Sequence, residues 1–140
     1  MAWVVDTCVL IDVADADATF GQASADALEK LLDEELVLSP VSYVELAPVF
    51  DGSERRLDDF LAGMGVTVKA LMQEDVARAF GFWSKHVSEK RQGLVRRRPV
   101  ADVFIAALAS RVGGLVTRNP KDFSRLDPDL RLRDPSRKGK

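Results

Sequence analysis

The hydrophobic and polar positions of this chain alternate between short apolar runs and longer segments with helical spacing. The first run, at residues 3–5, is bulky and rich in β-branched side chains, which predicts a short buried strand. Similar short runs predict further strands over residues 36–38, 66–68, 115–117 and 130–132.

Between these runs, apolar residues recur at the three- and four-residue intervals of amphipathic helices. One helix is expected to open at Ser39-Pro40, with Ser39 as its N-cap and Pro40 at the tolerated first position, and to end near Pro48. The spacing predicts the other helices over residues 23–34, 55–62, 73–89 and 100–112, with a short helical turn beginning at residue 119.

Strands that alternate with helices favour a parallel sheet with helices on both of its faces. The predicted fold class is therefore α/β, a three-layer α/β/α sandwich around a central, mostly parallel sheet of five strands. The chain has 140 residues, which corresponds to one domain. We place that domain at residues 1–133 and treat residues 134–140 as a polar tail.

The formal net charge of −2 conceals an uneven distribution along the chain. Residues 1–89 contain 6 Lys and Arg against 17 Asp and Glu, whereas residues 90–140 contain 14 against 5. Such a division is typical of an acidic centre next to a basic contact surface, and metal and phosphate sites combine the two. Two solvated faces that balance each other would give the same totals.

Several classes of protein are disfavoured by the composition. The single cysteine, Cys8, excludes a disulfide framework and a cysteine-rich zinc site, and its place after the first strand suggests a small buried residue. A cysteine nucleophile would need a histidine base, but the one histidine, His86, lies in a charged segment. We see neither a membrane span nor a signal peptide, so a cytoplasmic location is expected.

Four carboxylates stand where the apolar pattern does not predict them. Asp6 ends the first strand, Glu45 has apolar neighbours, Asp102 opens an almost wholly apolar helix, and Asp122 follows the strand at 115–117. Each has an ordinary structural explanation: helix capping for Asp6 and Asp102, an exposed helix stripe for Glu45, and turn chemistry for Asn119 to Asp122. If the strands are parallel, however, all four residues fall at one edge of the sheet.

Carboxylates crowded at one edge cannot all stay ionised without compensation, and a hard divalent cation such as Mg²⁺ or Mn²⁺ provides it. Such a metal ion beside a basic surface points to phosphodiester chemistry. Thr117 is placed to orient a ligand or water through its hydroxyl group. The candidate phosphate contacts are the basic residues Arg96, Arg97, Arg98, Arg111, Arg118 and Lys121.

Four segments together resemble a known family. Residues 5–12 (VDTCVLID), 42–46 (SYVEL), 99–107 (PVADVFIAA) and 116–123 (VTRNPKDF) are similar to successive motifs of the PIN-domain ribonucleases. The resemblance is closest to the VapC-type toxins of toxin–antitoxin pairs and covers nearly the whole chain. Each motif is weak alone, whereas all four in this order and at this length are specific.

This resemblance implies a PIN-like five-stranded α/β/α fold, bound Mg²⁺ or Mn²⁺, and cleavage of RNA. In the toxin branch it also implies a homodimer and inhibition by a small antitoxin, with no role for a membrane. By position, Asp6, Glu45 and Asp102 correspond to the core metal-binding acids. The supporting residues are Thr7, Thr117 and Asn119.

The closing motif departs from the family pattern. Many relatives have an acid two residues after the threonine, where this chain has Asn119, so either Asn119 or Asp122 fills the fourth catalytic position and a second metal ion is in doubt. The same resemblance places Phe82 and Trp83 near the dimer or antitoxin surface, although aromatic residues at helical spacing more often belong to the core.

Two other classes of function fit parts of the sequence. A receiver-like module phosphorylated on aspartate would need paired acids after the first strand, but Asp6 stands alone there, and the strand at 66–68 is followed by Lys69. A non-catalytic PIN-like domain that binds RNA or a protein partner is the stronger alternative. Salt-sensitive RNA binding without metal-dependent cleavage would distinguish it.

Overall fold

A single parallel sheet forms the centre of the computed structural model, which describes residues 1–94 and 99–137. Its strands are β1 (Ala2–Val5), β2 (Glu35–Leu38), β3 (Val66–Val68), β4 (Gly113–Val116) and β5 (Arg131–Arg133). They lie in the order β3-β2-β1-β4-β5, and every neighbouring pair is parallel. The predicted five-stranded parallel sheet is confirmed within these ranges.

Helices connect the strands and cover both faces of the sheet. They are α1 (Thr7–Ala14), α2 (Gly21–Glu29), α3 (Pro40–Glu45), α4 (Glu54–Met64), α5 (Gln73–Arg91), α6 (Val100–Val112) and α7 (Pro120–Leu126), with a 3₁₀ turn at Ala47–Phe50. No helix in the described ranges is long and apolar enough to cross a lipid bilayer.

The two faces of the sheet bury separate apolar clusters, which makes three layers. Along β1, Trp3 and Val5 point into the cluster with α1, α2 and α4, whereas Val4 points into the cluster with α5, α6 and α7. Because β1 is covered on both faces, its residues are apolar without interruption. The three-layer α/β/α prediction is confirmed.

Local signals in the sequence placed several helix ends correctly. The hydroxyl of Ser39 accepts a hydrogen bond from the backbone N–H of Val41 at 3.2 Å, with Pro40 as the first residue of α3. Helix α4 ends at Gly65, which adopts a left-handed conformation with φ of 71°.

Other boundaries differ from those predicted. Helix α1 was not predicted, because its apolar residues follow β1 directly and give no separate helical signal. Helix α2 lies earlier than the predicted 23–34, since the chain after Glu29 forms turns that carry its acidic residues. The strand predicted at 115–117 begins instead at Gly113, whose φ of 150° turns the chain directly from α6 into β4.

The buried side of α5 agrees only in part with the side that its apolar residues indicate. The helical spacing predicts an apolar side that includes Val76, Ala79 and Phe80. Ala79 is buried, whereas Val76 is 41% and Phe80 79% exposed. The fully buried positions of the helix are Asp75, Ala79 and His86. The helix can bury two polar side chains because each has a partner, as described for Asp75 below. Gly81 lies within this helix and does not interrupt it, although glycine is a poor helix former.

The connections reverse direction at one place in the sheet. From β1 the chain adds β2 and β3 on one side, and it then crosses to add β4 and β5 on the other. The crevice at the carboxyl ends of β1 and β4 is therefore the topological switch point, where parallel α/β sheets usually bind their ligands. Asp6 and Thr117 follow these two strands directly.

Candidate active site

Asp6 lies at the carboxyl end of β1, as predicted, and occupies the N-cap position of α1. Its side chain makes no capping hydrogen bond to the helix, although capping was the ordinary explanation for an aspartate here. It is 6% exposed. Its Oδ2 accepts instead a hydrogen bond from the hydroxyl of Thr117 at 2.7 Å. The carboxylate is thus directed across the sheet, toward β4.

Thr117 joins the two sides of the switch point. Its hydroxyl oxygen accepts a hydrogen bond from the backbone N–H of Asn119 at 3.0 Å and donates its own proton to Asp6. The side chain has no exposed surface. A hydroxyl group has only one proton to donate, and Thr117 donates it to Asp6. Asn119 contributes its backbone to this chain of bonds, while the residue as a whole is exposed.

Asp6 carries a charge in a poorly hydrated place. Burial raises the pKa of Asp6 above its ordinary value. Hydrogen bonds from the side chains of Thr117 and Cys8, and weaker ones from the backbone N–H groups of Cys8 and Thr7, lower the pKa by less. The Sγ of Cys8 lies 3.4 Å from Asp6 Oδ2. Burial, followed by the charge of Asp6, raises the pKa of the Cys8 thiol to about 12, so the thiol stays protonated and acts as a donor. These properties do not suit a nucleophile.

Glu45 reaches the same edge of the sheet from the last residue of α3. Its Oε1 accepts a hydrogen bond from the hydroxyl of Thr7 at 2.8 Å, and Thr7 follows Asp6 in the chain. The residue is otherwise exposed. The structure thus brings Asp6, Thr7 and Glu45 together, as the sequence predicted from the carboxyl ends of β1 and β2.

The other two predicted acids lie in the first turns of later helices. Asp102 is half-buried near the start of α6, which packs against α3 and β1. Asp122 is exposed in the first turn of α7, where the helix dipole favours an anion. Both residues make further interactions of their own. The choice between Asn119 and Asp122 for the fourth position stays a prediction.

A divalent metal ion would find oxygen ligands here, but no complete cage. Among the described residues, no three carboxylate, imidazole or thiol groups are close enough to hold a metal ion together. Mg²⁺ commonly takes one or two carboxylates and fills its remaining positions with water and substrate phosphates. A buried carboxylate at Asp6 with Glu45 nearby fits that donor chemistry. Asp102, at the start of a helix that packs on α3, is the predicted further ligand.

Arg118 makes a partly buried ion pair beside the site. Its Nε and Nη2 donate to Asp12 Oδ2 and Oδ1 at 2.6 and 3.2 Å, and its guanidinium carbon lies 4.1 Å from the ring centre of Phe20. Asp12 is 4% exposed. The positive charge of Arg118 is therefore committed within the protein. Sequence reasoning did not identify Asp12 as its partner, although a lone acid at the end of an apolar run was the available signal.

The other predicted phosphate contacts have different surroundings. Arg111 donates to the carboxylate of Asp75 and to the backbone carbonyl of Ala70, away from the carboxyl ends of the strands. Lys121 is exposed at the start of α7, near the predicted site. Arg96, Arg97 and Arg98 lie outside the described residues. The proposed roles of Lys121 and this arginine segment in RNA binding stay predictions.

One polar atom near the site lacks a hydrogen bond. In the described ranges, Ser42 Oγ in α3 is the only buried side-chain nitrogen or oxygen without a hydrogen-bond partner. We expect Ser42→Ala to raise the free energy of unfolding by about 1 kcal/mol, because leaving a buried hydroxyl unpaired costs at least that much. Urea unfolding monitored by circular dichroism measures the change.

The same helix offers a matched control for this prediction. Ser39→Ala removes the N-cap hydrogen bond of α3 and should lower the free energy of unfolding by about 1 kcal/mol. A lower stability for both variants would contradict the prediction, since it would show that the Ser42 hydroxyl also has a stabilising partner.

Comparison with known proteins identifies the family of this chain. A family model described as the PIN domain matches residues 3–128, which include all four predicted acids. The chain belongs to the PIN domain family. No curated protein sequence matches it closely enough to count as a relative.

Solved structures with the same fold are components of toxin–antitoxin complexes. VapBC-1 of nontypeable Haemophilus influenzae matches with a TM-score of 0.72 at 26% identity, over 98% of this chain and 100% of that one. VapBC2 of Rickettsia felis, bound to a DNA fragment from its promoter, also gives 0.72, at 20% identity over 96% and 98% of the two chains. A toxin–antitoxin complex of Klebsiella pneumoniae gives 0.68 at 20% identity over 95% and 97%.

The comparisons confirm the predicted resemblance to PIN domains and to VapC-type chains. Phe82 and Trp83, expected near a partner surface, are partly buried against the cluster beneath α5 and α6, so part of each side chain belongs to the core. His86 lies beside Trp83, with 5.5 Å between the ring centres, and is buried rather than part of a charged surface.

Proposed function

We propose that this PIN domain is a metal-dependent endoribonuclease that acts as the toxin of a toxin–antitoxin pair. The observation that carries the proposal is the buried carboxylate of Asp6, held across the topological switch point by Thr117. A fold needs no such charge at this position, since burial of an ion is costly. Parallel sheets bind ligands at this edge.

The charge balance at the site supports a cation from outside the protein. In the described part of the chain, Arg118 is already paired with Asp12, and the groups that lower the pKa of Asp6 are hydrogen-bond donors. An added divalent cation would offset the negative charges of Asp6 and Glu45. When bound, such an ion lowers the pKa of a water ligand and stabilises negative charge on phosphate oxygens.

The proposal assigns a role to each of the predicted site residues. Asp6, Glu45 and Asp102 would hold Mg²⁺ or Mn²⁺, and Asp122 or Asn119 would complete the site. Thr7 and Thr117 orient two of these carboxylates through the hydrogen bonds already described. Lys121, together with Arg96, Arg97 and Arg98, would contact the RNA backbone, while Arg118 would keep its place through Asp12.

The comparisons support an antitoxin as a partner. The structural neighbours VapBC-1, VapBC2 and the Klebsiella complex are toxin–antitoxin assemblies, so we infer that a small antitoxin inhibits this chain. The homodimer that the family resemblance implies is part of the same proposal. The Haemophilus chain is covered completely, which supports a partner of the same kind.

Cleavage of a mixed RNA pool tests the enzymatic part of the proposal. We expect cleavage in Mg²⁺ or Mn²⁺, none in EDTA, and none by Asp102→Asn, whose unchanged circular dichroism would show that it folds. Cleavage that persists in EDTA, or in the Asp102→Asn variant, would contradict a metal-dependent site. RNA binding that weakens with salt but is never followed by cleavage would favour the non-catalytic alternative.

A further inference from the structure

The two oxygens of Asp6 have different surroundings. Among the described residues, both side-chain hydrogen bonds to this carboxylate end on Oδ2: the hydroxyl of Thr117 donates at 2.7 Å and the thiol of Cys8 at 3.4 Å. Along the chain, Thr117 lies 111 residues from Asp6, whereas Cys8 lies only 2 residues from it. Backbone N–H groups of Cys8 and Thr7 also stabilise the charge of this carboxylate. An ionised carboxylate offers about four lone-pair positions, two on each oxygen, so the two side-chain donors engage the two positions of Oδ2.

We propose that Asp6 binds the metal ion through Oδ1 alone, and that Thr117 and Cys8 are positioning residues that hold Oδ2. This inference rests on the proposed function and deepens it. A carboxylate without such donors can rotate and present either oxygen or both. Here the backbone of Asn119 fixes the direction of the Thr117 hydroxyl, and Thr117 in turn fixes the plane of Asp6.

Cys8 gains a role that its sequence context did not indicate. The sequence suggested only a small buried residue. The structure leaves the side chain half-buried in the first turn of α1, with its sulfur directed at the carboxylate that precedes the helix. A thiol is a weaker donor than a hydroxyl, so Thr117 is expected to contribute more than Cys8.

Titration of Mn²⁺ into the whole protein by calorimetry, with no RNA present, tests the inference. Loss of an outer partner of a metal ligand typically costs 10–100-fold in affinity, so we expect Thr117→Val to weaken Mn²⁺ binding by about tenfold or more. Thr117→Ser keeps the hydroxyl and should stay within about twofold of the wild type. Cys8→Ala should weaken binding by up to about tenfold, and Cys8→Ser should recover part of the loss.

The matched control removes a similar hydrogen bond elsewhere. Ser110 donates to the carboxylate of Asp127 at 2.6 Å, and both residues lie outside the proposed site. Ser110→Ala should lower the stability of the protein without changing its affinity for Mn²⁺. This comparison separates the loss of a positioning bond from a general loss of stability.

The outcomes distinguish this inference from the proposed function. If the wild type binds Mn²⁺ and Asp6→Asn does not, the metal site stands; Mn²⁺ affinity that is unchanged or tighter in Thr117→Val and Cys8→Ala would then overturn the inference alone. Absence of Mn²⁺ binding by the wild type would overturn both. Weaker binding by the two variants, with rescue by Thr117→Ser, is the result that we expect.

Discussion

Asp6→Asn should abolish RNA cleavage while leaving the folded protein at least as stable as the wild type. The activity should fall by more than about a hundredfold, since even the outer partners of a metal ligand are typically worth 10–100-fold. The stability should not fall, because the substitution removes a charge whose burial is unfavourable and the asparagine oxygen can still accept from Thr117. Cleavage assays and urea unfolding at pH 7 measure the two effects.

The pH dependence gives this prediction a second measurement. Folding raises the pKa of Asp6 above 3.8, so the folded protein holds this proton more tightly than the unfolded chain. The contribution of Asp6 to the free energy of unfolding is therefore greatest at low pH and declines as the pH rises from about 4 through the raised pKa. Asp6→Asn should lack this decline. A variant that unfolds more readily than the wild type at pH 7 would contradict the account.

Arg111→Met should be among the most destabilising single substitutions in this chain. Arg111 Nε and Nη2 donate to the two oxygens of Asp75 at 2.7 and 2.9 Å, and the Asp75 side chain has no exposed surface. Removal of the arginine leaves a buried carboxylate without its cation. We expect this to lower the free energy of unfolding by about 3–5 kcal/mol. Urea unfolding at pH 7 measures the loss.

Two further variants sharpen this measurement. Adding Asp75→Asn to Arg111→Met should restore part of the stability, because the buried charge is then removed. As a surface control, Arg56→Met breaks a pair with Asp51 in which both side chains are mostly exposed, and it should cost less than about 1 kcal/mol. Equal losses of stability for Arg111→Met and Arg56→Met would show that the buried pair contributes no more to stability than the exposed pair.

Acid should weaken the Asp75–Arg111 pair in the wild type. Burial alone would raise the pKa of Asp75, but hydrogen bonds from Arg111 and the backbone N–H of Met72 outweigh it and leave the pKa below 3.8. The stabilisation is therefore complete above about pH 4 and is lost as the pH falls through the lowered pKa. This direction is opposite to that of Asp6.

The sheet could be predicted from the sequence because its signals are local. Strand β1 is an uninterrupted apolar run, Ser39-Pro40 marks the start of α3, and glycines mark the ends of α4 and α6. The position of Asp6 followed from the same reasoning, since the residue after a buried parallel strand lies at a known edge of the sheet.

The remaining features depend on contacts between distant residues. Asp12 and Arg118 are separated by 106 positions and Asp75 and Arg111 by 36, so no local pattern shows that these carboxylates are buried and paired. For the same reason, the apolar spacing of α5 correctly predicted a buried Ala79 but wrongly predicted that Val76 and Phe80 are buried. The direction of the Asp6 carboxylate depends on Thr117, which the chain reaches only after 111 residues.

A crystal structure of the protein soaked in Mn²⁺, with anomalous diffraction data, tests the central claim most directly. The account predicts an anomalous peak at the carboxyl ends of β1 and β2, about 2.1 Å from Asp6 Oδ1 and within reach of Glu45 and Asp102. No peak at this edge, at a concentration of Mn²⁺ that supports RNA cleavage, would contradict the claim that these acids form the metal site.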